Sequence, residues 1–333
     1  MSEADTPTPD KIMSIITGGW AAAILGSATK HGVFNALDGG GDNADGVAQK
    51  MGISVRGAQA VLDGVTGLGL VTLTNGRYDN SPEASAFLIK GKPSYFGGMA
   101  EVMTNSLTEW ATLPAAVKSG QPTASEQTDM ADIDFWHGLV PAIAALSYPV
   151  AEMMAGRLGI ADAGEVRWLD VGGGSGVWSA VWLQANRQAR GVQLDWPVVN
   201  TIGREFVAGF GVADRFDTID GDFHSVDFGS ALYDFAIYGH IAHQESPADN
   251  VAIFRKFRKA LKPGGTLVIN DFVLNDDRSG HPFAMIFPAQ MLLATKAGNA
   301  WRQSDYRAWL RDAEFATVEI VPTPTPATVV LAQ

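Results

Sequence analysis

One short segment carries the clearest chemical signal in the chain. Asp170-Val171-Gly172-Gly173-Gly174-Ser175-Gly176 follows the apolar stretch VRWL and runs into a helical pattern. Alternating glycines let a turn take positive φ and let a ligand lie against bare backbone, while the start of the next helix offers free amide donors. A dinucleotide fingerprint, GxGxxG, is the competing reading, but Val177 stands where its third glycine belongs. The pattern is DxGxGxG. Other chemistries are closed off by composition. With no cysteine there is no disulfide, thiolate nucleophile, Cys-ligated zinc or iron–sulfur cluster. The six histidines (His31, His137, His224, His240, His243 and His281) show no ligand spacing joined to carboxylates, so no metal is expected.

Two kinds of pattern must position that segment. From residue 166 onward apolar strands alternate with helical stretches: VRWLDV, GVQLDW, RFDTID, YDFAIYG, TLVINDFVL and TVEIV. Such alternation predicts an α/β domain with a parallel-type sheet covered on both faces, whose ligands sit at the carboxyl ends of the strands. The first hundred residues read differently, as helices over 11–31, 44–51 and 55–68 followed by a hairpin. The hairpin rests on VTLT, Asn75-Gly76 and RYDN, since Asn-Gly supplies two positive-φ positions for a type I′ turn. Three helices and a hairpin suggest a winged-helix unit. The expected division is 1–110 for this unit, 111–160 for bridging helices with a looser loop at 119–129, and 161–333 for the α/β domain.

The DxGxGxG turn resembles the first motif of the class I S-adenosylmethionine-dependent methyltransferases. The whole chain is similar to their small-molecule O-methyltransferase family, of the caffeate and hydroxyindole type, which joins a Rossmann-like domain to an N-terminal winged-helix dimerisation domain. ILGSATKHGVFNAL and VLDGVTGLGLV match that N-terminal domain. The resemblance implies S-adenosylmethionine as cofactor, S-adenosylhomocysteine as product, a small-molecule acceptor and a homodimer. It assigns Asp170, Gly172, Gly174 and Gly176 to the cofactor loop, Asp195 to the ribose hydroxyls, and Asp222 and Phe223 to the adenine. Lys262-Pro263-Gly264-Gly265 is an architectural turn.

The same resemblance points to a catalytic base. The family reads His-Asp-Trp nine residues beyond the aspartate of the fourth strand, and counting from Asp234 lands on His243. Asp271 takes the place of the carboxylate that orients this histidine. Three positions depart from the pattern: Gln244 and Glu245 replace Asp-Trp, Gly239 stands where Lys or Arg often holds the cofactor's carboxylate, and Trp301 where plant members carry a second acid. Tyr148, His240, Met285, Phe287 and Met291 are the expected pocket residues, with Phe135, Trp136 and Ser147 on the bridging helices.

Charge narrows the partners. The 333 residues carry Lys+Arg 24 against Asp+Glu 36, a net charge of -12, the wrong sign for gripping nucleic acid or anionic lipid. Residues 1–101 hold seven basic and ten acidic side chains, so the winged-helix unit is not expected to bind DNA. No apolar run approaches the roughly 20 residues of a membrane span. The segment MSEADTPTPDK does not read as a signal peptide, and a cytoplasmic enzyme is expected. Oxygen is the expected methyl acceptor. The alternatives are S-methylation of a thioether hydroxy acid such as 4-methylthio-2-hydroxybutyrate, on the route to dimethylsulfoniopropionate, a cofactor-binding member that transfers no methyl, or a regulator.

Overall fold

A computed structural model describes residues 7–92, 94–123 and 133–333, with the side chains of 133–135 and 137–138 outside the description. The chain divides into two units, Met1–Thr108 and Glu109–Gln333, so residues 111–160 fall within the second. The expected loop at 119–129 and the expected role of Phe135 lie largely or wholly outside the described residues.

The first unit is built from α1 (Asp10–Ile16), α2 (Gly18–Lys30), α3 (Val33–Ala36), α4 (Ala44–Met51), α5 (Val55–Gly67), the hairpin strands β1 (Val71–Thr74) and β2 (Arg77–Asn80), α6 (Pro82–Phe87) and α7 (Gly97–Asn105). The helix expected over 11–31 breaks at Thr17, where Gly18-Gly19 weakens the ladder, and α1 and α2 meet at 47°. Local chemistry sets the other ends. Side chains of Asn43 and Ser54 accept the Gly46 and Gly57 amides at the starts of α4 and α5, and Gly52 ends α4 in the left-handed region. Asn75 (φ 51) and Gly76 (φ 78) make the expected hairpin turn. Phe34, Val47, Leu62 and Val65 are fully buried here, each contributing roughly 1.5–3 kcal/mol.

The second unit starts with α8 (Leu107–Trp110), which crosses the boundary, then α9 (Leu113–Ser119) and α10 (Ile133–Arg157). It continues β3 (Arg167–Val171), α11 (Val177–Ala185), β4 (Arg190–Asp195), α12 (Pro197–Gly209), β5 (Phe216–Asp220), β6 (Tyr233–Gly239), α13 (Pro247–Ala260) and β7 (Leu261–Asp271). It closes with α14 (Pro282–Ala294), α15 (Gln303–Asp312), β8 (Val318–Pro322) and β9 (Thr328–Ala332). The sheet order is β5-β4-β3-β6-β7-β9-β8, parallel from β3 to β7. β9 was not expected from the sequence and runs antiparallel between β7 and β8, so the sheet is mixed rather than parallel throughout. Pro322, Pro324 and Pro326 disguise the reversal as a linker.

Apolar side chains fill both faces of this sheet. Trp168, Trp182 and Met154 pack on the side of α10 and α11, and Tyr238, Phe254 and Phe257 on the side of α13. One described helix, 139–157, is long and apolar enough to cross a membrane, contrary to expectation. Its Val150, Ala151 and Met154 are fully buried in the core shared with α11, although only 39% of the apolar window is buried. The order reverses at β3 and β6, so the loops after these two strands flank the crevice where such sheets bind ligands.

Candidate active site

The loop after β3 has the backbone that its glycines demand. Gly172, Gly174 and Gly176 sit at φ 65°, 59° and 69°, where a side chain would be strained. They differ in their surroundings. A Cβ on Gly172 would meet Ile241 at 2.8 Å and one on Gly176 would meet Val207 at 2.8 Å, whereas one on Gly174 meets nothing nearer than Val140 at 3.7 Å. The loop is therefore packed at both ends and open in the middle, a cradle in which a ligand can touch bare backbone at Gly174.

Asp195, at the end of β4, is tied to this loop. Its Oδ2 accepts the Gly174 amide at 2.9 Å and its Oδ1 accepts the Trp196 amide at 2.8 Å. Burial outweighs both donors and pushes its carboxyl up to about 6. Asp170 lies beneath the loop, 1% exposed, and burial together with the charge of Asp195 pushes it up to about 8. Among the described residues, Oδ2 of Asp170 and Oε1 of Gln193 are buried acceptors without a donor, and both lie within 2.9 Å of the point where a Gly173 Cβ would stand.

The loop after β5 presents Asp222 and Phe223. His224 folds back on both: its Nδ1 and its amide reach Oδ1 of Asp222 at 2.9 and 2.8 Å, and its ring stacks on Phe223 at 4.5 Å. Oδ2 of Asp222 has no hydrogen-bond partner among the described residues. Burial, the largest single influence, raises the Asp222 carboxyl, but the contacts from His224 and Lys256 together hold it below the usual range.

Across the crevice, β6 ends at Gly239 and the chain turns through His240 at φ 57. Side chains rarely accept that conformation, and it marks a position held by its surroundings. The turn delivers His243 to Asp271 at the end of β7, Nδ1 to Oδ1 at 2.6 Å, with both residues buried. Asp271 also accepts the amides of His243 and Phe272 and the hydroxyl of Tyr306. Burial alone raises this carboxyl, yet its contacts, the hydrogen bonds from His243 and the Phe272 amide among them, hold it below the ordinary value. His243 Nδ1 is thus the donor to Asp271, and Nε2 is left as a proton acceptor. His240 accepts Asn270 Nδ2 on Nε2 at 3.1 Å, and burial lowers its imidazole to about 4, so it stays neutral.

Aromatic rings enclose His243. Phe287 meets its ring edge-to-face at 4.8 Å, Phe272 lies parallel at 6.0 Å, and Phe283 packs on both phenylalanines. Phe283, Phe287 and Met291 share one face of α14, Met291 being 5% exposed. Met285 does not join them, since the helical phase turns it outward at 51% exposure. Tyr148 is also displaced from its expected place, packed on Phe210 at the far end of α12 with its hydroxyl toward Glu152. Ser147 is buried beside it. Trp136 instead meets Trp196, next to Asp195, at 5.5 Å. Phe272, Phe283, Tyr306 and Trp196 were not singled out from sequence; FAMIFPAQMLL carried the signal for α14, whereas nothing local marks Tyr306.

The histidines also differ from expectation, because the fold joins His240, His243 and Asp271 into a buried group whose candidate ligand atoms lie within 4.8 Å. Its shortest contact, 2.6 Å, is a hydrogen bond; two atoms sharing an ion at about 2 Å each stand farther apart.

Comparison with known proteins identifies the family. An O-methyltransferase domain family matches residues 162–316. The 3-hydroxy-5-methyl-1-naphthoate 3-O-methyltransferase of Streptomyces sahachiroi is 30% identical over 96% of this chain and 92% of its own. The tetracenomycin polyketide synthesis 8-O-methyl transferase TcmO of Streptomyces glaucescens is 27% identical over 97% and 96%. Human N-acetylserotonin methyltransferase, solved with S-adenosylmethionine, superposes with a TM-score of 0.87 at 20% identity over 100% and 99% of the chains. The chain belongs to the class I S-adenosylmethionine-dependent O-methyltransferases that act on small molecules, and S-adenosylmethionine is its cofactor.

Proposed function

We propose that this enzyme methylates a hydroxyl oxygen on a small, flat, ring-bearing acceptor, with His243 as the base. The His243–Asp271 pair carries the reading: a buried carboxylate fixes the Nδ1 hydrogen and leaves Nε2 to take the proton of an acceptor hydroxyl, help worth typically 10²–10⁴-fold. When bound, S-adenosylmethionine supplies a methyl group already activated on a sulfonium. The open backbone at Gly174 and the carboxylate of Asp195 fit a ligand with ribose hydroxyls, while Asp222 and one side of Phe223 fit an amino-bearing base. Gly172 and Gly176 shape the loop, and Asp170 supports it from below. Phe272, Phe283 and Phe287 form an apolar cluster beside His243 against which a planar ring can pack, with Met291 behind. Neutral His240 supports the turn that carries His243.

A second reading keeps the site but changes the acceptor to a thioether sulfur. The aromatic cluster beside His243 favours it, because a phenylalanine ring can stabilise a sulfonium product by cation–π attraction. Isotopically labelled S-adenosylmethionine offered with phenols, hydroxy acids and 4-methylthio-2-hydroxybutyrate separates the two by mass spectrometry. Label on oxygen supports the base; label on sulfur makes His243 an orienting group.

The enzyme is further proposed to be a cytoplasmic homodimer, joined through the winged-helix unit. Ile12, Met13, Ile15, Ile16 and Trp20 of α1 and α2 are each more than half exposed, an apolar surface that a second copy would cover. Light scattering of Trp20→Glu should then show a lower mass than the parent, and a monomeric parent would remove the proposal.

A further inference from the structure

Glu245 stands where the family resemblance places tryptophan, and its carboxylate has found a specific use. Oε2 of Glu245 lies 3.0 Å from Nε2 of His224, whose Nδ1 lies 2.9 Å from Oδ1 of Asp222. Glu245 is two residues past His243, and its side chain is 14% exposed. One imidazole thereby spans the loop after β5 and the turn after β6. Lys256 of α13 donates to the carbonyls of Phe223 and His224, holding the same loop from below.

We propose that His224 is a positioning residue that ties the adenine-side loop to the catalytic turn, so that cofactor binding and the placement of His243 are coupled through the bridge Asp222–His224–Glu245. The inference rests on the proposed adenine role of Asp222 and Phe223. Both ring nitrogens face carboxylates, and only the imidazolium can donate to both. The charged groups facing His224 are Asp222, Glu245 and Lys256. Burial lowers the imidazole, but the bonds to Glu245 and Asp222 outweigh it and raise it above its ordinary value. A raised histidine keeps its bridge below the unfolded value and loses it as pH climbs through the folded one. With one nitrogen then deprotonated, one carboxylate contact is released.

The test uses the full-length enzyme, S-adenosylhomocysteine as the calorimetric probe and His224→Gln as the variant. Near pH 6 the variant should bind the probe ~3- to ~10-fold more weakly, as two partly exposed charged bonds allow. The ratio of the two affinities should shrink toward one by about pH 9. Asp195 titrates alike in both proteins, so the ratio isolates His224. An unchanged affinity at pH 6, or a ratio constant across the range, overturns the coupling. Two controls separate failures. In Glu245→Gln the imidazole resonance of His224, followed by NMR without cofactor, should titrate at lower pH; an unmoved titration means that the bridge does not form. Asp222→Asn should weaken the probe at every pH, and if it does not, the adenine placement fails independently of the bridge.

Discussion

His243 and Asp271 meet twice, once through the ring and once through the backbone. Nδ1 stands 2.6 Å from Oδ1, and the His243 amide donates to Oδ2 at 2.9 Å. The carboxylate therefore sets both the tautomer of the imidazole and the position of the residue carrying it. Asp271→Asn replaces one acceptor oxygen by a donor that must face an N–H or O–H. Turnover on a hydroxyl acceptor should fall by about 10²-fold or more, while calorimetry finds S-adenosylhomocysteine affinity unchanged. If affinity fell in parallel, the pair would belong to cofactor binding.

Tyr306 supplies the remaining side-chain donor to Asp271, its hydroxyl 3.2 Å from Oδ2 inside the core. Tyr306→Phe removes it without opening a large cavity. A buried carboxylate short of one donor is costlier to keep charged, so stability should drop by about 1–2 kcal/mol. In Asp271→Asn, which has already lost the charge, the further change should cost clearly less. Urea unfolding of the four proteins gives this coupling, and simple additivity would show that the hydroxyl acts elsewhere.

Local spacing made half of this site legible and topology hid the rest. Gly172, Gly174, Gly176 and Asp170 occupy seven consecutive residues whose backbone demands are written in glycine, and the strand before them has a clear apolar pattern. Asp271 was reachable from the family resemblance at the end of a recognisable strand. Tyr306 lies 35 residues farther along, on α15, and meets Asp271 only because β7 and that helix share the core. Tyr148 failed for a different reason. A 25-residue helix interrupted by Pro141 and Pro149 has no phase that sequence can extrapolate, so its Trp136 end reaches the crevice and Tyr148 does not. β9 stayed hidden behind prolines that mimic a linker.

The three loop glycines should separate in mutation. Alanine at any of them costs roughly 1 kcal/mol for the left-handed backbone. At Gly172 and Gly176 it also collides with Ile241 and Val207, so Gly172→Ala and Gly176→Ala should lower Tm most. Gly174→Ala meets no protein atom closer than 3.7 Å, yet its methyl group stands on the open backbone. It should lose cofactor affinity out of proportion to its small drop in Tm, as paired calorimetry and thermal unfolding will show. Equal affinity losses at all three positions would mean that Gly174 does not face the ligand.

Asp170 and Asp195 should give the protein opposing pH dependences. An aspartate of the unfolded chain titrates near 3.8, whereas folding raises Asp170 to about 8 and Asp195 to about 6. The folded state thus holds protons that the unfolded chain has released, and the stability this contributes is complete below about pH 4 and lost as pH rises through about 6 and then about 8. Cofactor binding runs the other way on its acid side, since ribose hydroxyls donate best to an ionised Asp195 and affinity should weaken below about pH 6. Asp170→Asn keeps a neutral group with its own hydrogens beneath the loop. Its urea midpoint should therefore change much less between pH 6 and 9 than that of the parent enzyme. The same slope in both proteins would show that Asp170 is not the group carrying the proton.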